Sequence, residues 1–292
     1  DKNRSLNAYV IGRKNRGQFV ELAAFDTDAE AHQYYRDNLE ALEERYRMMA
    51  QAPDERGDVN QTRQGEDYLQ DRQVTVEMFE ETFGFRGVQF GNYMSPKDRQ
   101  DSLDNAYVAL LDLASILRLE PSDLSLRGTL ALAFGARGKG GRHAAAAHYE
   151  PVQAVINLTK HAGAGSLAHE WFHALDNSIP RAAGSVGEYA TTGRSSITMA
   201  PHLRAPFHGI IRAIAETNLA RRSAKLDCAR STPYWSTPLE MAARSFEAWV
   251  VEKLAECGVQ NDYLANFLDE ATYEAESKLM GTPEGRYPYP RE

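Results

Sequence analysis

The chain has 292 residues, of which 42% are hydrophobic and 25% are charged. These values are typical of a water-soluble globular protein, and the length allows one large domain or a catalytic domain with a smaller companion. The formal net charge of −8 argues against binding of nucleic acid across the whole surface, since neutralising phosphates requires clustered Lys and Arg. No stretch approaches the roughly 18 consecutive apolar residues of a membrane span, so we expect no membrane partner.

The cysteines and the chain ends bear on the compartment. Only Cys228 and Cys257 are present, which is too few for a disulfide framework or a four-thiolate zinc site and favours a reducing compartment. The sequence begins at Asp1 and ends in the polar segment GRYPYPRE, as a piece excised from a larger polypeptide would. We therefore expect a cytoplasmic location, although the missing signal peptide carries little weight.

The first 72 residues predict a small N-terminal module. Two apolar runs flank a turn in NAYVIGRKNRGQFVELAAF, which favours a β-hairpin. Residues 26–50 then carry apolar side chains at three- and four-residue spacing, which predicts one amphipathic helix of about 20 residues. Residues 51–73 are polar and without period, so they predict a linker or a long surface loop. We place the module boundary between residues 72 and 73.

The second module, residues 73–292, predicts an α+β fold. A short helix beginning at Thr75, a strand in FRGVQFGNYM and a long helix beginning at Ser95 are followed by two apolar strands, TLALAFGA and VQAVINLT. The Gly-rich segment between those strands lacks the GxxxxGK[ST] order of a phosphate loop. We expect a hairpin loop over residues 137–149, no organic cofactor, and a mostly helical chain from Gly163 onward.

The stretch SLAHEWFHALDN, residues 166–177, carries the chemistry. At roughly 100° per residue, His169, His173 and Asp176 lie within about 60° of one another on a helix, and apolar residues occupy the opposite side. Two imidazoles four residues apart can bind one tetrahedral Zn²⁺, which is the HExxH arrangement. Glu170 lies beside that face, so we predict it to be the general base that activates a metal-bound water.

The alternative interpretation is a core helix whose polar groups are satisfied by protein partners. Two imidazoles and two carboxylates on one largely buried helix would then each need a hydrogen bond. A metal ion satisfies several of them at once, so the metal site is favoured.

Two histidines leave a catalytic zinc ion one protein ligand short. The segment STPLEMAARSFEAWVVEKL predicts a helix with Glu240, Arg244 and Glu247 on one face. We favour Glu240 as the third ligand, with Glu247 as the alternative, which makes the site gluzincin-like. Asp176 is predicted to support an imidazole N–H instead. Cys228 would suggest a deformylase-like site, but such proteins place their cysteine before the HExxH helix.

The sequence does not rank the remaining polar candidates. Five residues are possible donors to a transition state: Tyr149, Tyr189, Tyr234, Trp235 and Arg244. The other five histidines are predicted to be surface or loop residues: His143, His148, His161, His202 and His208.

Several ordered segments resemble one known family. The segments are FGFRGVQFGNYM, LSLRGTLALAFGARGKGG, AHYEP, VINLTKHAGAGSLAHEWFHALDN and YWSTPLEMAARSFEAWV. Over roughly residues 73–290 the chain resembles the zincin-like, large polyvalent protein-associated domain of phages and conjugative elements. The N-terminal hairpin and helix resemble it only loosely.

The resemblance implies a metallopeptidase-like domain of a very large mobile-element protein, present in a bacterial host or delivered into a recipient cell. By position it implies His169 and His173 as metal ligands, Glu170 as the base and Glu240 as the third ligand. The hypothesis is a zinc metallopeptidase that hydrolyses a host or self protein. We expect the VINLT strand to be the sheet edge on which the substrate lies. The alternatives are a non-catalytic zincin-shaped binding module for a host protein or nucleic acid, and hydrolysis of a non-peptide amide.

Overall fold

The fold is α+β, as predicted. A computed structural model describes residues 2–3, 8–15, 18–48, 52–57, 59–137, 146–159, 163–192, 200–228, 230 and 232–291. Its strands are β1 (Lys2–Asn3), β2 (Ala8–Asn15), β3 (Gln18–Phe25), β4 (Val88–Phe90), β5 (Ala131–Phe134), β6 (Ala147–Glu150) and β7 (Val155–Leu158). Its helices are α1 (Asp28–Asp37), α2 (Leu39–Met48), α3 (Val76–Phe83), α4 (Pro96–Leu117), α5 (Leu167–Ala182), α6 (Pro201–Glu216), α7 (Leu219–Asp227), α8 (Pro238–Glu256) and α9 (Glu270–Leu279).

The N-terminal part contains the predicted hairpin. β2 and β3 pair antiparallel, β1 adds to the other side of β2, and α1 and α2 pack on this sheet. The predicted single helix is interrupted at Asn38, whose side-chain Nδ2 and backbone N–H both donate to the Tyr34 carbonyl, each over 3.0 Å. An asparagine side chain that competes for a helical carbonyl ends a helix readily, so α1 and α2 replace one continuous helix.

Residues 52–57 and 59–72 have irregular backbone, as predicted, but they are anchored to the second module. Arg56 reaches Glu247 on α8, and Arg63 reaches Asp112 on α4. Gln64 forms an isolated antiparallel bridge with Gln260. The segment therefore contacts both long helices of the second module, and the boundary at residue 72 stays a prediction.

The second sheet is small and mixed, with strand order β4-β5-β7-β6. β4, β5 and β7 run parallel, and β6 pairs antiparallel with β7. The prediction that the VINLT strand is the sheet edge is wrong, because β7 lies between β5 and β6. All four β7 residues are buried, whereas three of the four in β6 are only partly buried. A short strand that is buried at every position is typical of an inner strand, and the edge on this side is β6.

The predicted helices around the sheet are present, with the expected caps. Thr75 accepts from the Met78 N–H at the start of α3, and Ser95 with Asp98 forms a capping box at the start of α4. The main core lies where α3, α4, α5 and α8 pack against β5 and β7. Most of the predicted loop 137–149 lies outside the described residues, and its last three residues belong to β6. No described helix is long and apolar enough to cross a bilayer.

Candidate metal centre

The turn before α5 is held by the segment that follows α8. Gly165 has φ +93°, a conformation that glycine adopts without strain. Its N–H donates to the Tyr263 carbonyl over 2.9 Å, and the Ala168 N–H donates to the Leu264 carbonyl over 2.9 Å. The Gly165 carbonyl accepts from Arg56. These contacts set the direction in which α5 leaves the turn.

The start of α8 is held in a similar way. The Thr237 side chain caps the helix by accepting from the Glu240 N–H over 3.3 Å, and Pro238 occupies the first turn. Asp227, at the end of α7, accepts from the Trp235 N–H over 3.0 Å and from the Ser236 hydroxyl over 2.6 Å. The loop that leads into α8 is therefore pinned to α7, which positions Glu240 at the first turn of α8.

Aromatic packing brings α5 and α8 together. Phe246 of α8 lies against both Trp171 and Phe172 of α5, with ring centroids 5.8 and 5.2 Å apart. The Trp171 Nε1–H donates to the Leu124 carbonyl over 3.0 Å, so the buried indole is satisfied. Trp171 is on the side of α5 opposite the histidines. The packing thus follows the two-sided pattern that the sequence predicts.

The two histidines and Glu240 converge. The His169 Nε2 lies 3.3 Å from Glu240 Oε2, and the His173 Nε2 lies 3.5 Å from Glu240 Oε1. The three residues are buried, and one possible ligand atom from each lies within 4.8 Å of the others. Zinc ligands at roughly 2.0–2.1 Å in tetrahedral geometry are about 3.3–3.4 Å apart. These three side chains therefore have the spacing of a metal-binding cluster.

Glu247 lies behind His169, not beside Glu240. Its Oε2 is 3.4 Å from the His169 Nδ1, on the far side of the imidazole from Glu240. Arg56 donates to Glu247 Oε1 over 2.8 Å, and the Tyr289 hydroxyl donates to Oε2 over 3.0 Å. A carboxylate that faces the outer nitrogen of a ligating histidine orients the ring and raises its basicity. Of the two predicted alternatives, Glu240 is thus the one placed to bind a metal ion.

The cluster contains buried polar atoms that make no hydrogen bond of good geometry, which tests its fit to a metal ion. Glu170 Oε2 and Glu240 Oε2 are two of these atoms, and Glu240 Oε2 has only its 3.3 Å contact with His169 Nε2. The Nδ1 atoms of His169 and His173 also lack a hydrogen bond of good geometry. Buried polar atoms are nearly always paired. A cation between the two Nε2 atoms and Glu240 would satisfy the carboxylate, so the residues present fit a bound metal.

The electrostatics favour a positive charge at the same point. Burial raises the pKa of Glu240, but contacts with His169 and His173 more than offset this and hold it well below its usual range. Burial lowers the pKa of His169, yet Glu240 and Glu247 outweigh that effect and raise it to about 10. Without a metal, His169 therefore holds a proton between two carboxylates. A bound divalent cation would displace that proton and supply the positive charge in its place.

Asp176 does not play its predicted role. Its two carboxylate oxygens accept from the Thr191 N–H over 2.9 Å and from the Thr191 hydroxyl over 2.5 Å. The expectation that Asp176 supports an imidazole N–H is therefore wrong, because the loop after α5 satisfies both oxygens. The neighbouring Asn177 likewise binds the Val186 and Glu188 carbonyls. Both residues tie the end of α5 to residues 186–191.

A cavity of about 180 Å³ opens beside Glu170 and His169. Three of the five predicted donors line it, namely Tyr234, Trp235 and Arg244. Tyr149 donates its hydroxyl to Asn177 over 2.8 Å. Tyr189 lies near the His173 ring, with centroids 6.4 Å apart. The cavity is lined by Glu55, Arg56, Ala146, Ala147, Ser166, His169, Glu170, Tyr234, Trp235, Arg244 and Tyr289.

Two residues that contribute to the site were not predicted from the sequence. Arg56 comes from the predicted linker, and Tyr289 from a C-terminal segment described only as polar, yet both contact Glu247. The segment YPYP is the only available signal, since two tyrosines separated by proline are unusual in a solvated tail. Tyr289 in fact stacks on Phe267, with centroids 3.9 Å apart. Of the five other histidines, His148, His202 and His208 are described, and none of these joins the cluster.

Two family models match the chain. "Large polyvalent protein-associated domain 5" matches residues 2–82, and "Large polyvalent protein-associated domain 1" matches residues 226–292. The first match contains Arg56 and extends past the predicted boundary, and the second contains Glu240 and Glu247. The helix with both histidines lies between the matched segments, in residues 83–225. No curated protein and no solved structure matches the chain significantly. The two matches support the predicted resemblance to large polyvalent protein-associated domains.

Proposed function

We propose that the chain is a zinc-dependent metallopeptidase with a zincin-like, gluzincin-type site. The observation that carries the proposal is the convergence of His169 Nε2, His173 Nε2 and the Glu240 carboxylate at ligand spacing. Two imidazoles and one carboxylate are the protein ligands of a common class of catalytic zinc site, which keeps a further position open. The matches to large polyvalent protein-associated domains support a larger polyvalent protein as the context, and we propose a host or self protein as the substrate.

Glu170 is the base in this mechanism. A bound zinc ion would supply Lewis acidity and activate a water molecule at neutral pH. Glu170 lies one residue after His169, is buried, and has a carboxylate oxygen with no protein partner. It accepts the proton as the water oxygen bonds to the scissile carbonyl carbon, and returns it to the amine as the C–N bond breaks.

We propose Tyr189 and Tyr234 as the residues that donate a hydrogen bond to the carbonyl oxygen during this step. Burial, followed by the charge of Tyr149, Asp176, Glu170 and Glu240, raises the pKa of Tyr189. Burial and then the Glu240 charge raise the pKa of Tyr234 well above its usual value. Both hydroxyls therefore stay protonated at neutral pH and can donate a hydrogen bond.

The substrate would lie along β6. Within the described residues β6 pairs with β7 on one side only, and Ala147 at its start lines the cavity beside Glu170. An unpaired strand edge can bind an extended peptide as one further strand. The strand that we propose to bind the substrate is therefore β6, the antiparallel edge strand, and not the VINLT strand, which is an inner strand.

The test measures zinc content and peptide hydrolysis of the wild type, His169→Ala and Glu170→Gln after zinc reconstitution. We expect one zinc ion per wild-type chain, loss of zinc in His169→Ala, and retained zinc with roughly 10²–10⁴-fold lower turnover in Glu170→Gln. His202→Ala, an exposed histidine on α6, is the control for the metal. A wild-type chain that binds no zinc refutes the proposal. Zinc binding without hydrolysis of any peptide or amide would favour the zincin-shaped binding module.

A further inference from the structure

Arg244 is a buried cation without an acidic partner. Its side chain is 2% exposed, and no carboxylate of the described residues lies within 4 Å of it. The Nε donates to the Pro288 carbonyl over 3.0 Å, and Nη2 donates to the Trp235 carbonyl and, over 3.4 Å, to the Ser223 hydroxyl. The third nitrogen, Nη1, is buried with no hydrogen bond.

Such an arrangement is uncommon, because a buried charge is ordinarily paired. The chain pairs other partly buried arginines in the usual way: Arg56 with Glu247, Arg63 with Asp112 and Arg137 with Glu150. A charged donor that is left unsatisfied in the interior destabilises the folded chain. The missing partner of Arg244 is therefore informative.

The position of Arg244 connects it with the candidate metal centre. It lines the same cavity as His169 and Glu170, and it stands one helical turn after Glu240 on α8. The Trp235 ring lies against the guanidinium at 4.9 Å and fixes its plane. Glu55 also lines this cavity, but it does not reach Arg244 within 4 Å. An anionic group that enters the cavity meets an oriented, unneutralised guanidinium beside the candidate base.

We propose that Arg244 binds a carboxylate of the substrate, which makes it a specificity-determining residue of this site. The proposal rests on the metallopeptidase function proposed above. Because Nε and Nη2 already donate within the chain, the carboxylate would accept from Nη1. A hydrogen bond between two charged groups is roughly twice as strong as one between neutral groups. In a peptide, that carboxylate is either the free C-terminus or an Asp or Glu side chain. The first source gives removal of C-terminal residues, and the second gives internal cleavage next to an acidic residue.

The experiment compares three pools of N-acetylated random hexapeptides with the zinc-loaded full chain. One pool contains only neutral residues and a free C-terminal carboxylate, the second has a C-terminal amide, and the third has the amide plus one glutamate at any position. Mass spectrometry gives the cleavage rate and the cleaved bond. We expect the first or the third pool to be cleaved at least about 30-fold faster than the neutral amide pool, and the faster pool identifies the source. Equal rates for all three pools overturn the proposal.

Arg244→Gln tests the residue itself, and Arg222→Gln is its matched control. Arg222 is also buried and also binds the C-terminal segment, through the Tyr287 and Tyr289 carbonyls, but it does not line the cavity. We expect Arg244→Gln to bring the ratio of the cleavage rates of the carboxylate pool and the neutral pool close to one. Equal loss of preference in Arg222→Gln would mean that Arg244 acts only by anchoring residues 287–289, which contradicts the proposal.

If no pool is cleaved, a binding measurement still tests the carboxylate site at Arg244. It does not require the Arg244→Gln variant to fold. Calorimetry compares an N-acetyl dipeptide carboxylate with its amide on the zinc-loaded Glu170→Gln chain. A dipeptide carboxylate that binds about 30-fold more tightly than its amide supports the Arg244 site even when no peptide is hydrolysed. Failure of the proposed metallopeptidase function is therefore distinguishable from failure of the Arg244 proposal. The same measurement with an N-acetyl dipeptide amide that contains one glutamate covers the side-chain source. Equal binding of all three dipeptides refutes the carboxylate site.

Discussion

Two arginines of the segment before α3 each bind a buried carboxylate: Arg63 binds Asp112 (the Arg63 junction) and Arg56 binds Glu247 (the Arg56 junction). The two junctions differ in whether every buried polar atom has a hydrogen bond. At the first, Asp112 of α4 accepts from Arg63 Nε and Nη2 over 2.8 and 2.7 Å and from Asn261 Nδ2 over 2.7 Å. The remaining Arg63 nitrogen, Nη1, donates to the Glu66 carbonyl over 2.7 Å. At the second, Arg56 and Tyr289 both donate to Glu247. Glu247 contacts His169, and His169 contacts Glu240. In this second network His169 Nδ1 and Glu240 Oε2 make no hydrogen bond of good geometry.

The difference separates a structural polar network from a ligand site. A buried network in which every member is satisfied stabilises one arrangement of the chain and needs nothing else. A network of similar burial that ends in unpaired carboxylate and imidazole atoms is completed by a ligand. The Arg63 junction therefore needs no metal, whereas the Arg56 junction supports one.

The largest effect we expect is that of zinc on stability. At a free zinc concentration about 1,000 times the dissociation constant, binding adds roughly 4 kcal/mol to the free energy of unfolding. That corresponds to an increase in Tm of roughly 10 °C for a chain of this size. Calorimetry with and without a chelator measures it. His173→Ala removes a proposed ligand and should abolish the shift, whereas an equal shift in that variant would contradict the site.

Arg63→Met tests the Arg63 junction, in which the carboxylate and the guanidinium are both satisfied by hydrogen bonds. The substitution leaves the Asp112 carboxylate, which is 1% exposed, buried without its cation, and we expect a loss of about 3 kcal/mol in unfolding free energy. Urea denaturation measures the loss. The double variant Arg63→Met with Asp112→Leu should recover part of it, since removing both partners leaves no unpaired charge. Zinc affinity should be unchanged, and a drop in affinity would mean that the two junctions are coupled.

Arg56→Met tests the Arg56 junction, which leads to the candidate metal centre. Without Arg56, Glu247 keeps the Tyr289 hydroxyl and the His169 contact but loses the cation that, against the effect of burial, contributes most to lowering its pKa. We expect a 10–100-fold lower zinc affinity, because residues that orient a ligating histidine contribute by that amount. Competition with a fluorescent zinc chelator measures the affinity. Arg72→Met, an exposed arginine that binds only carbonyls of its own loop, is the control.

Asp227→Asn should have the smallest effect. Burial raises the pKa of Asp227, but donors of residues 234–236, led by the Ser236 hydroxyl, lower it overall. The carboxylate therefore contributes stability above its unfolded pKa of about 3.9, and this contribution is lost as the pH falls through the lower folded value. We expect about 1 kcal/mol at pH 7 and little difference from wild type near pH 2.

The control for this last substitution is Glu252→Gln, since Glu252 is exposed on α8. Urea denaturation at both pH values measures the two variants against the wild type. A difference between Asp227→Asn and the wild type that persists undiminished at low pH would show that packing, and not the charge of Asp227, holds the loop before α8.

Local patterns were sufficient for much of the fold. The caps at Thr75, Ser95 and Thr237 and the apolar periods of α4 and α8 are short-range features, so the helices begin and end close to the predicted positions. The break at Asn38 and the inner position of β7 were not predicted. A side chain's competition for a carbonyl and the order of strands in a sheet depend on contacts that a local period does not contain.

The sequence by itself determined which residues carry the chemistry of the candidate site. Helical spacing alone puts His169 and His173 on one face of α5 with Glu170 beside them, because the geometry of an α-helix is the same in every protein. Only the tertiary structure decided how the site is completed. It placed Glu240 at the Nε2 atoms, Glu247 behind His169, and Arg56 and Tyr289 behind Glu247. The longest of those contacts, from Arg56 to Glu247, joins residues 191 positions apart, a separation at which packing, and not local pattern, sets which side chains meet.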